Sequence, residues 1–358
     1  MQISTNLTTT PTDDVRLAQI LANPGFGVNF TDHMFTVEWT PDAGWHDARI
    51  TPYGPLTLDP ATAVLHYAQE IFEGMKAYRH LDGSIWTFRP EENAERMVRS
   101  SHRLALPVLE VDDFIAAVDA LVTVDQRWVP DQEGEKSLYL RPFMFASEAF
   151  LGVRPAHHVT FMVICSPAGA YFAKGIKPVT LWLSTDYTRA GRGGMGAAKT
   201  GGNYASSLVA QQQASAQGCD QVVFLDAQEG RYLEELGGMN MYFVYRDGRI
   251  VTPEVGTILP GITRSSIIEL AGKLGLDVEE RRISFDEWRE GVASGEIVEV
   301  FACGTAAVVT PVGTLKYDGG EIPGLSEPGE VTMAIRKALV DIQFGRADDA
   351  FGWMHRVV

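Results

Sequence analysis

The sequence predicts a mixed α/β (α+β) fold in two domains. Three observations carry that expectation. The chain has 358 residues, and domains hold roughly 100–200 residues each. Strand-like alternation and helix-like periodicity are interleaved in both halves. Between the halves, Ala168 to Pro178 is rich in small residues and chain breakers. The expected division is a small N-terminal domain over 1–170, a linker over 171–179 and a large C-terminal domain over 180–358.

The elements follow in order. Phe35-Thr36-Val37-Glu38-Trp39 and Ser84-Ile85-Trp86-Thr87-Phe88 alternate like half-buried strands. Glu91 to Leu104 reads as a helix. Phe114 to Val122 reads as another, with Asp112 or Asp113 as its cap. Leu138 to Arg141, Val159 to Ile164 and Val179 to Ser184 read as strands. A glycine-rich loop follows, then a helix from about Tyr204 to Gln217. Gln221 to Leu225 and Met241 to Tyr245 are strands, and Asp247-Gly248 turns the second into Arg249-Ile250-Val251. Thr263 to Leu274 is a helix with apolar positions Ile267, Ile268, Ala271 and Leu274.

Composition narrows the function classes. A formal net charge of -16 repels phosphate backbones and argues against a nucleic-acid partner. The 3 cysteines, Cys165, Cys219 and Cys303, are widely spaced and odd in number. That argues against a disulfide framework or a zinc site and for a reducing compartment. The N-terminus is polar and has no apolar signal core. No apolar run is long enough to span a bilayer. A cytoplasmic protein without a metal is expected.

Gly191-Arg192-Gly193-Gly194-Met195-Gly196-Ala197-Ala198-Lys199-Thr200-Gly201-Gly202-Asn203-Tyr204 is the least ordinary segment. So many glycines cost backbone entropy, so close approach or sharp bending is expected there. Gly191, Gly193 and Gly196 match the spacing of a dinucleotide fingerprint, with Asp220 beyond. However, Thr185 to Ala190 separate that run from its strand, and Lys199 to Asn203 delay the helix. A nucleotide P-loop would use Lys199-Thr200, but Ala198 stands where that motif needs glycine. The third reading is a Schiff-base lysine. Lys199 must be neutral to attack an aldehyde, and the small neighbours Ala197 and Ala198 leave room for burial and for a flat ring. An ordinary solvated lysine on a surface loop is the alternative.

Further motifs stand in order along the chain. They are Phe30-Thr31-Asp32-His33-Met34, Phe72-Glu73-Gly74-Met75-Lys76-Ala77, Leu138-Tyr139-Leu140-Arg141-Pro142, Lys199 with Gly201-Gly202-Asn203-Tyr204, Glu235 before Gly237-Gly238-Met239-Asn240, Leu259-Pro260-Gly261-Ile262-Thr263-Arg264, Gly304-Thr305-Ala306, and Asp341 to Arg346. In this set the chain closely resembles the branched-chain amino acid aminotransferases of fold type IV among the pyridoxal-phosphate enzymes, which are D-amino acid aminotransferase-like. The resemblance covers nearly the whole length. It implies a pyridoxal 5′-phosphate site at the domain interface, and amino transfer between leucine, isoleucine or valine and 2-oxoglutarate by a ping-pong mechanism.

The resemblance also implies roles. Lys199 holds the cofactor and then moves the proton at Cα. Glu235 bonds the pyridine nitrogen and keeps it protonated. Glu234 is the adjacent candidate, and in an extended stretch the two face opposite ways. Tyr204 donates to the phenolic oxygen. Ile262 and Thr263, at a helix start, offer N–H groups to the phosphate, joined by Thr305 and by Arg96. Arg99 and Arg103 are read as structural. Phe26, Tyr67, Phe72 and Tyr171 line an apolar side-chain pocket. Arg141, beside Tyr139, receives glutamate's distal carboxylate, with Tyr67 assisting. Thr305 and Ala306 offer N–H groups to the α-carboxylate. Leu151 and Val153 lie on a loop that reaches the neighbouring subunit's site, which implies a homodimer. Alternatives for single residues are a buried ion pair at Arg141, a plain helix cap at Thr263 and a solvated basic stripe at Arg96.

Two departures matter. Ala307 and Thr310 stand where vertebrate relatives carry a redox cysteine pair, so thiol regulation of that kind is not expected. Gly238 replaces a threonine of some relatives. Rivals of the same fold are a D-amino acid aminotransferase and an aminodeoxychorismate lyase. Rivals of other classes are a nicotinamide dehydrogenase and a non-catalytic binding protein.

Overall fold

The computed structural model describes residues 1–169 and 176–358. Most of the expected linker, and Tyr171, lie outside the described residues. The chain divides into two compact units. One holds Met1–Ala173, Ala198–Gly201 and Ile342–Val358; the other holds Lys174–Ala197 and Gly202–Asp341. This departs from a single cut at 171–179. The C-terminal segment returns to the first unit, because Met354–Arg356 pairs antiparallel with Ile85–Phe88. Lys199 and its neighbours belong to the first unit too, so that unit is the larger.

The first unit is built on a nine-stranded sheet. Its order is Ser4–Thr5, Gly44–Pro52, His33–Thr40, Val159–Ala168, Ser137–Ala146, Met75–Arg79, Ile85–Phe88 and Met354–Arg356. Glu70–Phe72 pairs off the path with Ser137–Ala146. The expected alternation at Phe35 to Trp39 is a strand, and Phe35, Val37, Ile50, Leu138, Leu140, Phe161 and Val163 are fully buried in its core. Each such side chain contributes about 1.5–3 kcal/mol relative to exposure.

The helix Pro90–Leu104 starts with proline at a position where a missing N–H costs nothing. Glu91 and Glu92 lie in its first turn, His102 and Arg103 in its last, and Ala105 ends it in a left-handed conformation. Its buried face includes Asn93, Arg96 and Ser100. Arg99 and Arg103 are exposed, so Arg96 does not share their stripe. The next helix spans Val111–Val124, with Glu110 before it. Asp112 and Asp113 therefore sit in the first turn and complement the dipole instead of capping.

The second unit has its own nine-stranded sheet: Leu233–Leu236, Gln221–Leu225, Val179–Ser184, Val308–Tyr317, Ile297–Gly304, Asn240–Tyr245, Arg249–Thr252 and Asp277–Glu280, with Gly320–Ile322 beside Val308–Tyr317. Asn240–Tyr245 and Arg249–Thr252 form the expected hairpin, turned through Gly248 at φ 92°. The helix expected over Tyr204 to Gln217 is two, Gly201–Ala205 and Leu208–Ala216. Ser206 and Ser207 separate them, and their hydroxyls bond back to the carbonyls of Asn203 and Tyr204 at 3.0 and 2.7 Å. Such local bonds compete with a continuous helix. The helix Ile262–Lys273 buries Ile267, Leu270 and Ala271, whereas Leu274 lies beyond its end and is exposed.

Among the described residues no helix is long and apolar enough to cross a membrane. None of their His, Cys, Asp and Glu side chains form a group able to hold a metal ion. The three cysteines are free and buried.

Candidate active site

In the first unit the site is built around Lys199. Its N–H donates to Ser100 Oγ at 3.0 Å, and its carbonyl accepts from the Phe72 N–H at 3.0 Å. Helix Pro90–Leu104 and strand Glu70–Phe72 thus hold the lysine backbone from both sides. Lys199 Nζ lies 4.8 Å from the Phe72 ring centroid, and the Arg141 guanidinium lies 4.7 Å from the same centroid. Arg141 also donates to the Tyr139 hydroxyl at 2.9 Å. Its buried Nε has no hydrogen-bond partner among the described residues. Gly74 must be glycine, because a Cβ there would overlap the Tyr139 hydroxyl. Phe26 meets Tyr139 edge-on at 5.1 Å.

The structure therefore brings Lys199, Phe72, Tyr139, Arg141 and Phe26 together. The hydroxyl beside Arg141 is that of Tyr139. The Tyr67 hydroxyl instead donates to the Leu151 carbonyl at 2.6 Å and ties down the loop that carries Leu151 and Val153. Those two side chains are 63% and 89% exposed, which leaves them able to meet something outside the chain.

Arg96 is buried and paired. Its Nε and Nη2 donate to the two oxygens of Glu73 at 2.8 and 2.7 Å, and Asn93 Nδ2 donates to Glu73 at 2.7 Å. Both charged partners are out of water.

In the second unit Glu235 and Glu234 are both buried, although extended neighbours point opposite ways. The segment 257–259 accounts for this. Leu259 donates its N–H to Glu235, and Thr257 donates its hydroxyl to Glu234. Asn240 Nδ2 donates to the Leu259 carbonyl at 3.2 Å. Burial pushes the Glu234 carboxyl up; the Thr257 hydroxyl opposes this and the Glu235 charge adds to it. Glu235 has a better partner, the buried Arg189, at 3.2 Å. Arg189 Nη1 has no hydrogen-bond partner among the described residues.

Segment 257–259 leads into the helix Ile262–Lys273. Gly261 precedes that helix and supplies no capping side chain, so its first turn presents backbone N–H groups in the manner that suits a phosphate. Ile262 and Thr263 are buried there. Gly238 packs on Tyr204: a Cβ would lie 3.3 Å from its ring and 3.5 Å from its hydroxyl. Thr305 and Ala306 occupy the tight turn between Ile297–Gly304 and Val308–Tyr317.

The glycine run forms no dinucleotide fingerprint, since no helix begins within Gly191 to Gly196. Gly196 is required by close approach: a Cβ would overlap the Thr257 carbonyl. Ala197 is exposed and Ala198 is buried. Sequence reasoning missed Arg189, Glu70, Glu73 and Ser100. The only available signal was position, since Arg189 lies just before the glycine run and Glu70 and Glu73 flank Phe72.

In the second unit, a buried carboxylate and an uncapped helix start are groups that suit a cationic ring and a phosphate. In the first unit, a lysine fixed at its backbone suits an aldehyde.

Residues 70–315 match the family description Amino-transferase class IV. The chain belongs to that family, and its fold is the family's mixed α/β fold. Within it, the chain is 59% identical over 347 residues to a probable branched-chain-amino-acid aminotransferase of Streptomyces coelicolor, with 96% of each chain covered. It is 55% identical to the branched-chain-amino-acid aminotransferase of Mycolicibacterium smegmatis, covering 100% of this chain and 98% of the relative. Among solved structures it is similar to the Escherichia coli branched-chain amino acid aminotransferase, with a TM-score of 0.75 and 28% identity, over 90% of this chain and 99% of that one. It is likewise similar to the T.th. branched-chain amino acid aminotransferase solved with pyridoxamine 5′-phosphate, with a TM-score of 0.74 and 30% identity, over 90% and 98%.

Proposed function

We propose that this chain is a branched-chain amino acid aminotransferase, moving the amino group of leucine, isoleucine or valine to 2-oxoglutarate in two half-reactions. The observation that carries the reading is the likeness, over effectively its whole length, to two proteins of that name. When bound, pyridoxal 5′-phosphate supplies the aldehyde that takes up the amino group and a ring that draws charge from Cα. Lys199 holds it, then takes the proton at Cα and returns it. Glu235 bonds the ring nitrogen and Tyr204 the phenolic oxygen. Ile262, Thr263, Thr305 and Arg96 hold the phosphate.

Substrate choice fits the same residues. Phe26, Tyr67 and Phe72 are the aromatic side chains read as lining the apolar pocket. Arg141 answers the second carboxylate of glutamate and 2-oxoglutarate, and a planar fork stacked on Phe72 suits that task. Ala306 and Thr305 serve the α-carboxylate. The exposed Leu151 and Val153 support a homodimer in which this loop reaches the other subunit's site. The acidic charge and free cysteines support a cytoplasmic location.

The test is an absorption spectrum of the purified protein. A visible band that L-leucine bleaches and 2-oxoglutarate restores is expected, with no response to D-alanine. Borohydride reduction should fix the cofactor to Lys199 on peptide mapping. Response to D-alanine alone would overturn the substrate assignment, and fixation elsewhere would overturn the lysine assignment.

A further inference from the structure

Glu70 opens the strand Glu70–Phe72 and is partly buried. Its Oε1 accepts the Gly201 N–H and the Thr200 hydroxyl, the latter at 3.3 Å. Thr200 is fully buried, so this bond is its means of satisfying a hydroxyl away from water. Gly201 is shaped to the same contact: a Cβ would lie 2.5 Å from Glu70 Oε1. Two residues further along the strand, the Phe72 N–H holds the Lys199 carbonyl, while Ser100 Oγ holds the Lys199 N–H.

Three consecutive residues, Lys199, Thr200 and Gly201, are therefore gripped by one strand and one helix. Glu70 supplies the grip on the last two. It secures the exit from Lys199 into the helix Gly201–Ala205, whose first N–H belongs to Gly201. Burial raises the Glu70 carboxyl, while the Gly201 and Thr200 bonds and the Arg141 charge pull the other way.

We propose that Glu70 is a positioning residue for Lys199, holding the Thr200–Gly201 backbone so that the lysine side chain leaves the chain in a fixed direction toward the substrate's Cα. The inference rests on the reading of Lys199 as the cofactor lysine. Proton transfer by a lysine depends on placement: a 1 Å error costs about 10²-fold in rate. Binding of the amino acid side chain depends on other residues, so the effect falls on turnover.

The test compares holoenzyme carrying Glu70→Ala, Glu70→Gln and Gly201→Ala with the parent. In Glu70→Ala, kcat for L-leucine should fall about 10²-fold, with KM changed less than about threefold. Amide hydrogen exchange over residues 198–204, measured with and without cofactor, should accelerate about tenfold. Glu70→Gln keeps an acceptor oxygen for the Gly201 N–H and should recover most of both losses. Gly201→Ala crowds that oxygen from the other side and should reproduce both, which keeps the test decisive if Glu70→Ala does not fold. Parent-like kcat and exchange in Glu70→Ala, or in Gly201→Ala if only that variant folds, would overturn the proposal. So would equal damage in Gln and Ala variants. Borohydride mapping in the parent separates the two failures: cofactor fixed at Lys199 with an inert Glu70 sinks only this inference, whereas cofactor fixed elsewhere sinks the reading beneath it.

Discussion

Arg189 and Glu235 form an ion pair at 3.2 Å in which the two side chains are only 3% and 1% exposed. A carboxylate so far from water is costly without an opposite charge. Arg189 supplies that charge, and Leu259 adds an N–H. Glu235 is thereby fixed to the segment that begins the helix Ile262–Lys273. In the proposed reading, the ring-nitrogen partner and the phosphate end of the site would therefore be held together. Removing Arg189 alone, as Arg189→Met, leaves the carboxylate buried without that opposite charge. The expected loss is about 3–5 kcal/mol in urea unfolding. The double variant Arg189→Met with Glu235→Gln should regain a good part of it. Equal stability of the single and double variants would show that the pair is not coupled.

The proposed roles predict that the two adjacent glutamates separate by function. Glu235→Gln should retain cofactor but slow single-turnover deamination of L-leucine by on the order of 10²-fold, as for loss of one preorganised electrostatic partner. Glu234→Gln should stay within about threefold, since an amide still accepts from Thr257. The reverse pattern would place the ring nitrogen against Glu234.

Much of this was legible in advance because strands advertise themselves by alternation and the site motifs stand in a fixed order. Val179–Ser184 and Gln221–Leu225 appear at the expected bounds. What stayed hidden has a common physical cause. Glu70, Glu73, Ser100 and Arg189 are polar residues whose value lies in partners distant in sequence, and period-based reading treats a polar residue as a solvated one. The return of Met354–Arg356 to the first sheet is equally non-local. The break at Ser206 and Ser207 depended on hydroxyls choosing backbone carbonyls over water, a choice that propensity does not encode.

In the proposed reading, Arg141 discriminates between the two kinds of substrate. Its guanidinium is stacked on Phe72 and anchored by the Tyr139 hydroxyl, so it is preset for a carboxylate. Arg141→Ala should raise KM for glutamate and 2-oxoglutarate by roughly 10–100-fold, the worth of a hydrogen bond to a charged group. KM for L-leucine should move by less than about threefold, because its side chain carries no second carboxylate. Arg141→Lys should not restore the loss, because an ammonium cannot reproduce the fork or the stacking. Equal damage to both substrates in steady-state kinetics would make Arg141 a structural residue.

Glu73 and Arg96 test whether a buried pair can also serve a ligand. Glu73→Ala removes the carboxylate opposite the buried Arg96 guanidinium and should destabilise the protein by about 3–5 kcal/mol. Glu73→Gln should cost less, since its oxygen still accepts from Arg96. Arg96→Gln keeps a donor for Glu73 but loses the charge proposed to face the phosphate. It should weaken cofactor retention about tenfold or more in equilibrium dialysis, as expected for a charged hydrogen bond. Undiminished retention would reduce Arg96 to the partner of Glu73.

The exposed loop of Leu151 and Val153 is held at its base by Glu148. Arg154 donates to the two Glu148 oxygens at 2.7 and 3.1 Å, and the His157 N–H donates at 2.6 Å. The Arg154 bonds, against a small burial cost and helped by His157, bring the Glu148 carboxyl down to about 2 from an ordinary 4.5. A depressed carboxyl contributes fully above its unfolded value and loses that contribution as pH falls through its folded one. The clip should therefore be intact at about pH 5, remain largely closed at about pH 3, and open near about pH 2. Because Glu148 is close to solvent, salt should weaken it. Glu148→Gln should free the loop at every pH, and Arg154→Ala should do the same. Hydrogen exchange over residues 148–157 reads this directly. If the loop is the dimer contact, both variants should also raise the dimer dissociation constant by about tenfold in sedimentation, through lost preorganisation. Loop exchange that rises between about pH 5 and 4 in the parent protein would show that Glu148 titrates normally and that some other contact holds the loop.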